Sequence, residues 1–109
     1  MKKITTKEEL NNFIAEFPND VVVVKFSAGW CTPCRVLADT INSFTVGETA
    51  GVEFCEIDVD EADEELVAEY NIRNIPVLIF TKNGEVIGRE VGLKTKEQIL
   101  ETISVVKNS

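Results

Sequence analysis

Apolar residues along this chain switch between two spacings, and the switches divide it into alternating helices and strands. Thr6 and Glu9 form a capping box, and Leu10, Phe13, Ile14 and Phe17 then recur on one helical face until Pro18 closes the segment. Val21 to Phe26, reading VVVVKF, is an almost unbroken β-branched run. That is the pattern of a strand buried on both faces in the middle of a parallel sheet, and only Lys25 interrupts it. Val36, Leu37, Ile41 and Phe44 predict a second helix ending near Gly47, and Val52 to Val59 predicts a second buried strand. A strand, a helix and a strand in succession imply a right-handed parallel crossover.

The second half changes character. Asp60 to Glu65, DEADEE, is an acidic cluster that opens a short helix reaching about Tyr70, where negative charge is favoured by the helix dipole; its plain reading is a solvated helix start. Val77 to Thr81 and Glu85 to Val91 flank Asn83-Gly84, the dipeptide that most strongly signals a tight hairpin, so the sheet ends antiparallel. Thr95 and Gln98 form another capping box, followed by Ile99, Leu100, Ile103 and Val106 on one helical face. A three-layer α/β/α sandwich, with a central mixed sheet between helices, uses every apolar stripe. The strand order is not contained in the pattern.

Composition narrows the class. The 109 residues, 44% of them hydrophobic, suit one domain spanning 1–109 without a linker, repeat or low-complexity segment. Nineteen acidic against eleven basic residues give a formal charge of −8, which repels phosphate backbones and makes nucleic acid and anionic membranes poor partners. The opening MKKITTKEEL has two lysines but no apolar run of signal-peptide length behind them, and no stretch approaches a membrane span, so the cytoplasm is the expected location. Three cysteines, Cys31, Cys34 and Cys55, are an odd number and too few for a disulfide framework. No heptad or exposed apolar stripe argues for self-association, so a monomer is expected.

The chemistry concentrates in GWCTPCR, residues 29–35. A structural zinc site needs four ligands, and the chain offers no histidine and one spare cysteine, so no metal and no cofactor is called for. Two inert core thiols are the other plain reading. Position argues for exchange chemistry instead: the motif follows a buried strand and opens a helix, so Cys31 belongs at a helix N-terminus, where unpaired backbone N–H groups favour a thiolate. Such a thiolate attacks a disulfide in another protein, and Cys34, one turn on, releases the product. Pro33 is tolerated in a first helical turn and stiffens it.

These residues carry a family resemblance. WCTPCR after VVVVKFSAG, with NIRNIPVLIF, KNGE and EVG at matching intervals, resembles thioredoxins from end to end. The resemblance implies a reducing thiol–disulfide oxidoreductase in which Cys31 is the nucleophile and Cys34 the buried resolving thiol. It implies disulfide-containing client proteins and re-reduction by an NADPH-linked thioredoxin reductase. It also implies that Ile75-Pro76 is a cis peptide bond lying against the cysteines. Trp30, Thr32, Pro33, Ile75, Pro76 and Gly92 would form the client-facing surface, with the backbone at Ile75 pairing with the bound segment as in strand addition.

Departures from the family are concentrated near the motif. Thr32 replaces the usual glycine, Ser27 stands where a tryptophan is frequent, and Asp39 where a kinking proline is usual. Lys25 occupies the place of a buried aspartate beneath the cysteines, and the lysine that commonly accompanies it is replaced by Phe54. Glu56, two residues on, shares the face of Phe54, so Lys25 and Glu56 are expected to tune the cysteines' ionisation. Cys55 points to the opposite face, with Ile57 and Val59, and reads as packing. Two other functions stay open on the sequence: a more oxidising oxidase or isomerase, favoured if Lys25 and Thr32 raise the potential, and a non-redox binding module using the same groove.

Overall fold

In the computed structural model, which describes residues 1–109, the element order is β1 (Lys2–Lys3), α1 (Lys7–Glu16), β2 (Val21–Ser27), α2 (Thr32–Asn42), β3 (Val52–Asp58), α3 (Glu64–Glu69), β4 (Val77–Lys82), β5 (Glu85–Val91) and α4 (Lys96–Lys107). The strands form one sheet in the order β1-β3-β2-β4-β5. β3 runs parallel to both β1 and β2, whereas β2–β4 and β4–β5 are antiparallel. Every residue of β2 is buried, as its β-branched run implies for a strand with a neighbour on each side.

Side-chain alternation along β2 divides the interior in two. Val22, Val24 and Phe26 join Leu10, Cys55, Ile57, Leu66 and Ile79 beneath α1 and α3. Val21 and Val23 join Leu37, Ile41, Leu78, Phe80, Ile99 and Ile103 beneath α2 and α4. The molecule is therefore the expected α/β/α sandwich with a mixed five-stranded sheet. Both capping boxes are formed, at Thr6/Glu9 and Thr95/Gln98. Asn83 and Gly84 have φ of 54° and 79°, the paired positive values of a type I′ hairpin turn.

Several boundaries differ from the sequence expectation. α1 ends at Glu16 with Phe17 as its C-cap. α2 stops at Asn42 rather than near Gly47 because Thr45 and Glu48 bond reciprocally, Thr45 N–H to Glu48 Oε1 at 2.8 Å and Glu48 N–H to Thr45 Oγ1 at 3.2 Å, which starts a separate turn. Phe44 packs against Phe54 from outside the helix, ring centroids 6.1 Å apart. β3 ends at Asp58, and the N–H of Val59 turns to the Ser27 carbonyl at 2.8 Å. Only the second half of the acidic cluster opens α3: Asp60 to Ala62 belong to the turn and bend after β3, and the helix begins with Asp63 as N-cap and Glu64 and Glu65 in its first turn. β1 was not expected, and a bulge between Phe80 and Thr81 interrupts the hairpin ladder.

Candidate active site

The buried β2 delivers the chain to the top of the sheet, where Ala28, Gly29 and Trp30 turn it into α2. Cys31 is the N-cap of that helix, with extended backbone (φ −88°, ψ 106°), and Pro33 lies in its first turn. Cys31 and Cys34 are joined by a disulfide, with Cα atoms 5.2 Å apart. The Cys34 N–H donates to Cys31 Sγ at 3.2 Å, so a backbone donor already points at the sulfur that must carry negative charge after reduction. Both sulfurs lie in a small cluster with Ala28, against which Val59 and Ile75 pack. Cys31 is 4% exposed and Cys34 1%, which leaves Cys31 the more reachable of the two.

Trp30 projects into solvent at 69% exposure while its Nε1–H donates to Asp60 Oδ2 at 2.7 Å, and this bond fixes the ring beside the disulfide. Trp30 and Ile75 line an open groove of about 300 Å³ with Val59, Val67, Ile72 and Arg73. The Ile75–Pro76 peptide bond is cis. Pro76 is itself buried behind Ile75, and its carbonyl accepts from the Gly92 N–H at 2.8 Å. Gly92 has φ +90°, a left-handed conformation that favours glycine. Thr32 and Pro33 are exposed and do not line this groove, and Thr32 Oγ1 accepts from Arg35 at 3.2 Å while Arg35 also donates to the Gly29 carbonyl at 2.9 Å.

Beneath Cys34 the sheet carries a charged pair where its neighbours are apolar. Lys25 is 1% exposed, faces the same helices as Val23, and pairs in register with Glu56 of β3. Its Nζ lies 3.5 Å from Glu56 Oε1, and the same oxygen accepts from Ser27 Oγ–H at 2.6 Å. A cavity of about 210 Å³ connects these groups to Cys34, and Lys3, Arg35 and Asp58 lie around it. Cys55 is on the opposite face, fully buried, and desolvation pushes its thiol up to about 12. It is neither near the disulfide nor activated.

Sequence reading missed Asp60, Val67, Ile72 and Arg73 as neighbours of Trp30. Asp60 sits in a run of acids that looks like ordinary solvated surface, and only the turn after β3 brings it to the indole. The dipeptide Ile72-Arg73, ahead of Ile75-Pro76, was the available signal for the groove's far wall.

The thioredoxin family model matches residues 1–105. The chain is 35% identical over 103 residues to a thioredoxin of Mycoplasmoides gallisepticum, covering 94% of this chain and 99% of that one. It is 32% identical over 101 residues to thioredoxin-1 of Caenorhabditis elegans, covering 90% and 86% respectively. Among solved structures, Fasciola hepatica thioredoxin superposes with a TM-score of 0.87 at 33% identity, over 97% of this chain and 99% of that one. With a disulfide-bonded Cys-x-x-Cys at the head of α2 and these relatives matching nearly end to end, the chain belongs to the thioredoxin family.

Proposed function

We infer that the protein is a protein-disulfide reductase, one domain that carries electrons by cycling between the dithiol and the disulfide of Cys31 and Cys34. The observation that carries this reading is the disulfide at the helix N-terminus, with the Cys34 N–H aimed at Cys31 Sγ. In the reduced form Cys31 attacks a client disulfide as the thiolate, giving a mixed disulfide and the first client thiol. Cys34 then attacks Cys31 Sγ and releases the second, so that two electrons pass to the client. The groove between Trp30 and Ile75 receives the client segment, and Pro76, held by Gly92, backs that wall. Thr32 and Pro33, exposed in the first turn of α2, also meet the client. Lys25 and Glu56 set the electrostatics beneath Cys34.

The clients are disulfide-containing proteins, and a reductase drawing on NADPH restores the dithiol. A reducing compartment such as the cytoplasm fits a chain whose remaining cysteine is a buried free thiol, and a monomer suffices because each step uses residues of a single chain. Insulin reduction by dithiothreitol, followed as turbidity, tests the reading: the protein accelerates it and Cys31→Ser does not. A binding module would add nothing to the uncatalysed rate. Cys34→Ser should accumulate mixed disulfides with clients through Cys31.

A further inference from the structure

We propose that Glu56 accepts the proton of Cys34 during the resolving step, acting through solvent in the cavity beneath the disulfide, with Lys25 and Ser27 holding its carboxylate in place. The proposal deepens the reductase reading and rests on it. Cys34 must lose a proton before it can attack, yet it is 1% exposed and only the cavity side gives it a route. That cavity, about 210 Å³, has room for several waters, each with polar partners on its wall. The ionisable groups around it are Lys3 of β1, Lys25 of β2, Arg35 of α2, Glu56 and Asp58 of β3, and Cys34 itself; β4 contributes the apolar Leu78 across from Lys25.

Of the two carboxylates, Asp58 is tied through Oδ1 to the Asp60 N–H at 2.8 Å in the turn after β3, whereas Glu56 is held by two side chains, Ser27 and Lys25, that themselves line the cavity. Oε1 takes the Ser27 hydroxyl at 2.6 Å and faces Lys25 Nζ at 3.5 Å, whereas neither bond engages Oε2. Burying an ammonium at 2% side-chain exposure in the middle of a sheet is expensive unless it is paired, and the pairing explains why a lysine survives in β2. Glu56 keeps 25% of its side chain in solvent, so a proton taken from inside can leave to the outside.

The step balances as follows. The Cys34 S–H bond breaks and its proton passes through water to the Glu56 carboxylate. The sulfur's electron pair forms the Cys31–Cys34 bond as the bond from Cys31 to the client sulfur breaks, and the client leaves as a thiolate. The cysteine pair is oxidised by two electrons, the client is reduced by two, and Glu56 returns its proton to solvent. Glu56 does not touch the reacting sulfurs; it is a positioning residue for the proton, and Lys25 places positive charge near the thiolate forming on Cys34.

Single-turnover reaction of the reduced protein with 5,5′-dithiobis(2-nitrobenzoate) separates the two steps. The first burst of thionitrobenzoate reports attack by Cys31, and the second reports resolution by Cys34. Thionitrobenzoate needs no proton to leave, so the second phase isolates the deprotonation of Cys34. Glu56→Gln keeps the side chain's length and an oxygen for Ser27. We expect it to slow the second phase by about a hundredfold at pH 7 and to make that phase rise about tenfold per pH unit, while the first phase is unchanged. Glu56→Asp restores most of the rate and a flatter pH profile. A second phase in Glu56→Gln within about threefold of wild type, with the same pH dependence, overturns the proposal, as does equal slowing of both phases. Loss of the first phase in the wild-type protein would instead sink the reductase reading.

Discussion

Burial treats the thiols of this protein differently because their neighbours differ. Cys55 is enclosed by apolar side chains of one core, and desolvation raises its thiol from 9.0 to about 12. The unfolded chain releases this proton near pH 9 and the folded chain holds it to about 12, so the contribution to stability is complete below pH 9 and lost as pH climbs to about 12, by as much as about 1.4 kcal/mol per unit. Urea unfolding at pH 8 and pH 10.5 should show a steeper loss for the wild type than for Cys55→Ala, which is less stable at pH 8 by about 1 to 2 kcal/mol because it leaves a small void. Equal slopes would remove Cys55 from the alkaline limb. Lys25 shows the converse, a charge kept in the interior by its partner. A positive charge below the cysteines favours thiolate and so the reduced form. Lys25→Met should therefore lower the redox potential by tens of millivolts, since about 30 mV matches about 1.4 kcal/mol for two electrons. Equilibration with glutathione measures it, and an unchanged potential would make Lys25 only a structural partner of Glu56.

Local rules set the elements whose signals lie within a few residues. At the start of α1, Glu9 Oε1 accepts from the Thr5 hydroxyl at 2.8 Å and from the backbone N–H groups of Thr5 and Thr6 at 3.1 Å each, and the Thr6 hydroxyl accepts from the Glu9 N–H at 3.1 Å. The Thr5 hydroxyl, foremost among these donors, holds the Glu9 carboxyl below its usual range. A depressed carboxyl stabilises the fold above the ordinary glutamate value and loses that effect as pH falls through the lowered one, so this cap weakens in mild acid. Thr6→Ala should cost about 1 kcal/mol at pH 7, measured by urea unfolding, and Glu9→Gln should remove the acid-dependent part while keeping most of the cap. A Thr6→Ala protein as stable as wild type would mean that Thr5 and Glu9 suffice alone. The box was legible because four consecutive residues contain it, and so was the Asn83-Gly84 turn. The end of α2 was not, although Thr45 and Glu48 show the same spacing, because Phe44 prolonged the helical stripe while packing from outside the helix.

At the scale of the molecule, what was readable was the sandwich and the two cysteines; what was not was whatever depends on strands meeting. The run VVVVKF announced a central strand, and Lys25 stood out because it broke that run. Its pairing with Glu56, thirty-one positions away, and the Ser27 hydroxyl that joins them exist only through the β2–β3 register. The same holds for Asp60 at Trp30, which tertiary folding alone brings together. β1 escaped notice for a simpler reason: two lysines carry no apolar pattern. Yet that strand closes one side of the sheet, pairing Lys2 with Cys55 and Lys3 with Glu56, and both side chains are exposed. A row of free backbone donors and acceptors at a sheet boundary is a template on which another chain can add, and charged lysines on a very short strand make that addition unfavourable. The far boundary, β5, is a longer strand that mixes exposed Val86 and Val91 with Glu85 and with Arg89, whose guanidinium donates to the Tyr70 and Asn71 carbonyls. A protein whose proposed chemistry presents a groove to extended client segments thus blunts the β1 rim of its sheet, so that strand-like partners are admitted at the disulfide and discouraged from seeding aggregates along that side.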